Sequence, residues 1–330
     1  MDLPISYSDV FNVKEHNFNE IALEIFRLQA EKNDVYRQYL THIKCLPRQI
    51  SHFLEIPFLP IAFFKTHRVI TGHWETHESR CFKSSSTTGV GTSNHFYNDL
   101  KWYEASFQKG FNQFFGAPDD WCILALLPNY MENQNSSLIT MVNALINDSN
   151  HTRSGFYLNE NEALISQLEE NEAKGIKTLL FGVTFALLDI LPIITGCFEH
   201  LTIMETGGMK GRRKEITRIE LHALFSKGFQ GARICSEYGM TELFSQAYMR
   251  PGSGFETPPW MQVHLSQTDD PFSKPVDGKA GLINVIDLAN IESCSFIATS
   301  DIGKMLKDGS FEVLGRFDFS EQRGCNLLIA

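Results

Sequence analysis

The run Trp121-Cys122-Ile123-Leu124-Ala125-Leu126-Leu127 carries no charged residue and stops at Pro128. A strand that is apolar on both faces must be covered on both faces. That is the condition of a parallel sheet held between layers of helices. The pattern recurs at Thr178 to Phe181, Leu201 to Met204 and Ala232 to Cys235, with helical segments between. Ser136 to Ile146 reads as one such helix and Glu160 to Gly175 as another, closed by its glycine. Thr217 to Lys227 begins with the capping-box pair Thr217 and Glu220 and has Gly228 just past its end. Strands alternating with helices predict an α/β fold, a mainly parallel sheet flanked by helices.

Ahead of this core, Phe18, Ile21, Ala22, Ile25 and Leu28 recur at helical spacing, and a second amphipathic piece spans Tyr36 to Ile43. Arg68 to Ile70 reads as a short strand, and Asn98 to Phe115 as an aromatic-rich helix ended by Gly116. From Ser253 the character changes to Gly, Pro and short β-rich runs: Leu282 to Ile286, Ser295 to Ala298 and Phe311 to Leu314. The expected organisation is therefore a core over 1–252 and a small C-terminal β-region over 253–330. Leu179 to Phe198 is nearly as long and apolar as a membrane span. Gly182, Asp189 and Pro192 interrupt it, so a buried strand followed by a buried helix from Thr184 is expected, with no membrane span.

The net charge of −10 and the lack of a basic run argue against a nucleic-acid partner. The N-terminus, Met1-Asp2-Leu3-Pro4, has no charged-then-apolar leader pattern. Seven dispersed cysteines with no CxxC pair read as reduced thiols, which points to the cytoplasm.

Two segments carry phosphate chemistry. Lys83-Ser84-Ser85-Ser86-Thr87-Thr88-Gly89-Val90-Gly91-Thr92-Ser93 offers hydroxyl donors and glycines that let backbone N–H groups turn to an anion. It lacks the lysine of a GxxxxGK[ST] loop and the third glycine of a dinucleotide loop. Taken alone, it also reads as a flexible polar turn. Ser236-Glu237-Tyr238-Gly239-Met240-Thr241-Glu242 follows an expected strand, where ligands of α/β sheets gather. Tyr238 can stack on a purine, Thr241 can donate to a phosphate oxygen, and Glu242 can hold Mg²⁺. Alone, it is also a helix start with a buried tyrosine. Thr299-Ser300-Asp301-Ile302-Gly303 sets a carboxylate before an expected glycine turn, and Gly315-Arg316-Phe317-Asp318 a cation and a carboxylate after a strand.

In this order the four segments resemble the core motifs of the acyl-adenylate-forming superfamily, which includes acyl-CoA synthetases, luciferases and the adenylation domains of peptide synthetases. Ile56-Pro57-Phe58-Leu59-Pro60 with Phe64-Lys65, Leu127-Pro128-Asn129-Tyr130 before Ser136-Ser137-Leu138, and Gly207-Gly208-Met209-Lys210 bring the likeness closest to its LuxE-type acyl-protein synthetase branch. The resemblance implies ATP-dependent conversion of a carboxylic acid, fatty or aryl, to acyl-AMP, then transfer to a thiol. It implies that Ser84, Ser85, Ser86, Thr87, Thr88, Gly89 and Thr92 hold the β- and γ-phosphates. Gly207, Gly208 and Tyr238 would line the adenine, with Gly239 also in the cofactor site; Thr241 would contact the α-phosphate, and Glu242 the Mg²⁺. Asp301 would bind the ribose with help from Arg316, and Asp318 would sit at an interdomain hinge.

The chain departs from the superfamily in two places. Only twelve residues follow Asp318 and none is lysine, so the fold implied is the N-terminal domain without the mobile C-terminal domain and its adenylation lysine. Lys210 is a stand-in, or a member of a solvated basic turn with Arg212 and Arg213. Ser86 also stands where the superfamily usually has glycine. Cys325, in Arg323-Gly324-Cys325-Asn326, matches the cysteine that LuxE-type proteins acylate. Arg323 can lower its pKa; the other reading is a buried thiol leading the apolar run Leu327-Leu328-Ile329. A carrier, transferase or reductase protein would take the acyl group onward. Two further readings remain: an acyltransferase that starts from a preformed thioester, and a non-catalytic subunit that binds acyl chain or nucleotide.

Overall fold

The computed structural model describes residues 5–77, 80–84, 91–128, 135–158, 160–207 and 216–317. Its strands are β1 (Leu59–Pro60), β2 (Cys81–Lys83), β3 (Asn94–Phe96), β4 (Cys122–Leu126), β5 (Gly155–Phe156), β6 (Thr178–Val183) and β7 (Leu201–Thr206), then β8 (Arg233–Tyr238), β9 (Ala247–Met249), β10 (Phe255–Glu256), β11 (Met261–Ser266), β12 (Gly281–Asp287), β13 (Phe296–Met305) and β14 (Phe311–Arg316). Its helices are α1 (Tyr7–Phe11), α2 (Glu15–Lys32), α3 (Asp34–His42), α4 (Phe63–Thr66), α5 (Lys101–Phe115), α6 (Ser137–Asp148), α7 (Asn161–Ala173), α8 (Thr184–Ile190) and α9 (Arg218–Gly228).

Twelve strands form one mixed sheet in the order β11-β12-β13-β14-β10-β9-β8-β7-β6-β4-β5, with β1 added against β13. The pairs β5/β4, β4/β6, β6/β7 and β7/β8 are parallel. From β8 through β9 and β10 to β14, and on to β11, every pair is antiparallel. The apolar runs behave as their composition requires: every residue of β4, β6 and β7 is buried. β6 and α8 account for most of the membrane-length stretch, and α8 is buried throughout except at Asp189. No helix among the described residues is long and apolar enough to cross a membrane.

The strands of the C-terminal β-rich part continue the sheet of the α/β core. The N-terminal helices in turn are tied to the C-terminal part by hydrogen bonds. Gln29 exchanges bonds with that part, Nε2 donating to the Ile291 carbonyl at 3.1 Å and Oε1 accepting from Ser295 N at 2.9 Å. Asn33 Nδ2 donates to the Ser293 carbonyl at 2.9 Å. Several expectations are corrected. Residues 68–70 form no strand. Gly303 makes no turn; it lies inside β13, where an added Cβ would meet the Glu312 carbonyl at 2.7 Å. Glycine is needed there for close strand approach, and Asp301 is consequently a strand residue. β8 likewise runs on to include Tyr238, and β14 includes Arg316.

The segment after β8, residues 239–246, has no ladder partner and is mostly buried. Asp287, at the end of β12, satisfies it. Its carboxylate accepts from Phe244 N at 2.7 Å, Ser245 N at 2.9 Å, Ser245 Oγ at 2.6 Å and Ala289 N at 3.2 Å. Buried donors without partners each cost about 1–3 kcal/mol. Asp287→Ala should therefore lower unfolding stability by about 2–4 kcal/mol. Urea unfolding measures it, and a loss below about 0.5 kcal/mol, the range of a neutral surface change, would refute this anchoring role.

Candidate functional site

The site forms at the carboxyl ends of β7 and β8, where the sheet changes from parallel to antiparallel. Ligands of α/β sheets gather at the carboxyl ends of the strands. β7 closes on Gly207, whose φ of 73° is a conformation that side-chain-bearing residues avoid. An alanine Cβ at Gly239 would lie 2.3 Å from Glu237 Oε1, so a side chain there would displace that buried carboxyl.

Tyr238, Asp301 and Arg316 come together from three strands. The Tyr238 hydroxyl donates to Asp301 Oδ2 at 2.9 Å, and Arg316 Nε lies 3.3 Å from Asp301 Oδ1. Burial, followed by the Asp301 charge, raises the Tyr238 phenol well above its ordinary value. Arg316 is 77% exposed, so its guanidinium keeps most of its donors on the solvent side. The Asp301 backbone N–H is fixed by Thr299 Oγ1 at 3.1 Å.

Glu242, like Glu237, is a buried carboxylate of the motif. Burial pushes its pKa up; the Ser93 hydroxyl, which hydrogen-bonds to it, opposes that, as do the charges of Arg316 and Lys65. Ser93 also closes the foot of the hydroxyl-rich segment, since Ser84 N donates to the Ser93 carbonyl at 3.1 Å and Ser93 N to Ser84 Oγ at 2.9 Å. The two ends of that segment thus stand directly beside Glu242. Thr92 adds its carbonyl, which accepts from Asn94 Nδ2 at 3.1 Å. Ser85, Ser86, Thr87, Thr88, Gly89, Gly208, Lys210 and Cys325 lie outside the described residues.

Sequence reading missed the residues that hold this arrangement. His95, on β3, is fully buried, with Nδ1 2.8 Å from the Thr241 carbonyl and Nε2 2.9 Å from Asn290 Oδ1. Asn290 Nδ2 donates to the Glu242 carbonyl at 2.8 Å and to that of Cys294 at 3.0 Å. With the amide nitrogen so committed, both ring nitrogens of His95 face oxygen acceptors. Burial pulls the imidazole down to about 4 although those two oxygens raise it, and the neutral ring can donate to only one of them. No local motif announces a histidine whose partners lie 146 and 195 residues away.

The chain matches the family described as "Acyl-protein synthetase, LuxE" over residues 3–330. It belongs to that family. Membership makes it an acyl-activating ligase, the class that the ordered motifs imply. Among solved structures, an open conformation of 2-hydroxyisobutyryl-CoA ligase in complex with 2-HIB-AMP and CoA has a TM-score of 0.65 and 10% identity, covering 92% of this chain and 70% of that one. A luciferase-like enzyme from the nonluminescent Zophobas morio mealworm has a TM-score of 0.50 and 16% identity, covering 72% and 57%. The anthranilate CoA ligase AuaEII in complex with anthranoyl-AMP has a TM-score of 0.50 and 13% identity, covering 76% and 48%. The last two are spanned over less than two thirds of their length, and at these identities the likeness is one of fold. No curated relative matches the chain.

Glu237 lies beside this site on β8 and accepts a hydrogen bond from the Thr206 hydroxyl. Burial raises its pKa from 4.5 to about 7. The folded protein therefore keeps this proton over a range where the unfolded chain releases it. The resulting stability is full below pH 4.5 and is lost as pH rises through about 7. Glu237→Gln should remove that slope. Between about pH 5 and 8 the wild type should lose on the order of 2–3 kcal/mol more stability than the variant. Parallel slopes in denaturant titrations across that range would contradict the assignment.

Proposed function

We propose that this LuxE-family protein activates a fatty or aryl carboxylic acid with ATP and passes the acyl group to a thiol. A carboxylate oxygen attacks the α-phosphorus and forms the acyl–phosphate bond. The bond to the bridging oxygen breaks, and pyrophosphate leaves with the electron pair. A thiolate then attacks the acyl carbonyl, a thioester forms, and AMP departs. The observation that carries this reading is the convergence of Glu242, Ser93 and the foot of the hydroxyl-rich segment beside the Tyr238–Asp301–Arg316 group.

In this reading Asp301 accepts the ribose hydroxyls, and Arg316 orients its carboxylate. Gly207, Gly208, Tyr238 and Gly239 line the adenine. Ser84 to Gly89 and Thr92 donate to the β- and γ-phosphates, while Thr241 donates to the α-phosphate. Preorganised donors of this kind, aimed at charge that grows during reaction, supply much of the rate. Among the described residues no three His, Cys, Asp or Glu side chains cluster as a metal cage. A lone buried carboxylate suits Mg²⁺, which keeps water and phosphate oxygens as its other ligands. Glu242 fits that role, because its anionic form is disfavoured by burial and would be restored by a cation. When bound, the ion neutralises charge on the phosphate oxygens.

Cys325 is the proposed first acyl acceptor, with a carrier, transferase or reductase protein as the next. Lys210 is a further candidate for the α-phosphate. The described cysteines are free thiols, which suits the reducing cytoplasm. Glu242→Ala should reduce acid-dependent ATP–pyrophosphate exchange by at least about a hundredfold. Exchange at the wild-type rate would sink the assignment of Glu242 and the site built around it.

A further inference from the structure

Lys65 is exposed at the end of α4, and its position is over-determined. Upstream, β1 pairs in parallel with β13, Pro60 opposite Ala298, and Ile61 N donates to the Ala298 carbonyl at 2.9 Å. That fixes the segment to the strand which carries Asp301. The preceding residue, Phe64, is fully buried and meets the His95 ring edge-on, with centroids 5.6 Å apart. His95 in turn contacts the Thr241 carbonyl. Lys65 is thus locked by its neighbours to both the Asp301 strand and the Thr241–Glu242 segment.

Its own surroundings are the anion-handling part of the site. Its Cβ lies 3.9 Å from the point where a Cβ on Gly91 would stand, at the end of the hydroxyl-rich segment. Its charge acts on the Glu242 carboxyl, as does that of Arg316. Arg316 is engaged with Asp301, whereas no acidic side chain among the described residues forms an ion pair with Lys65. The result is a cation on an exposed stem, beside the foot of the hydroxyl-rich segment, with no acidic partner in ion-pair contact among the described residues.

We propose that Lys65 is a catalytic residue of the adenylation step. Its ammonium binds the β- and γ-phosphates beside Ser84, Gly91 and Thr92 and stabilises the charge that gathers on departing pyrophosphate. The inference rests on the acid-activation reading above. Lys65 acts on the first step, where the phosphorus–oxygen bond to pyrophosphate breaks. Thioester formation, where AMP leaves the acyl carbon, involves no pyrophosphate. A point charge on a flexible stem suits a phosphate.

The test compares wild type, Lys65→Ala and Lys65→Arg in the full chain, in two assays. The first is ATP–pyrophosphate exchange with a fatty acid. The second is thioester formation from chemically prepared decanoyl-AMP. Lys65→Ala should lose about a hundredfold in exchange and no more than about threefold in transfer, and Lys65→Arg should recover most of the exchange. Exchange at the wild-type rate in Lys65→Ala would overturn the inference alone, and so would equal loss in both assays. Absence of exchange in the wild type with every acid tried would overturn the acid-activation reading beneath it.

Discussion

The structure depends on how one irregular buried segment finds its hydrogen bonds. The chain leaving β8 carries Thr241 and Glu242 into the interior without a strand to pair with. Its polar groups are met by three side chains from elsewhere: His95, Asn290 and Asp287. Two of these come from the end of β12 and the connection to β13, so that connection does for the segment what a neighbouring strand would do for a ladder. Because an unpaired buried polar group costs about 1–3 kcal/mol, these contacts restrict the segment to one path. The direction in which Glu242 faces follows from that path.

This scaffold also explains why the site sits at the seam of the sheet. The parallel half brings Gly207 and Tyr238 to one edge by successive crossovers. The antiparallel half returns Asp301 and Arg316 to the same edge on long strands. Neither half holds the full set. The N-terminal helices, hydrogen-bonded to residues 291–295 through Gln29 and Asn33, brace the outer side of the connection that pins the segment. Stability and site geometry are therefore supported by the same contacts.

Much of this was legible in the sequence, for identifiable reasons. A run such as Cys122–Leu126 is apolar on both faces because both faces are covered, and periodicity reports that directly. The capping box of Thr217 and Glu220 is local, and it forms, with Thr217 N donating to Glu220 Oε2 at 2.9 Å. Tyr238 and Asp301 could be grouped from motif order, and they share a hydrogen bond. Gly303 was misread because glycine serves both turns and close strand approach, and only the residue opposite distinguishes them. His95, Asn290 and Asp287 were not legible as supports of the candidate site. Each owes its role to a partner far away in sequence, and a single histidine or asparagine has no periodic or local signature.

The electrostatic character of the site follows from burial more than from net charge. In a chain with a formal charge of −10, the pKa of the Glu242 carboxyl is raised by desolvation, while the charges of Arg316 and Lys65 oppose that shift. The most direct measurement of acid activation is intact-protein mass spectrometry after incubation with Mg·ATP and a panel of fatty and aryl acids, on wild type and Cys325→Ala. The account predicts an acyl mass gain that requires ATP and is lost in the variant. A mass gain from acyl-CoA that never occurs with free acid and ATP would contradict it.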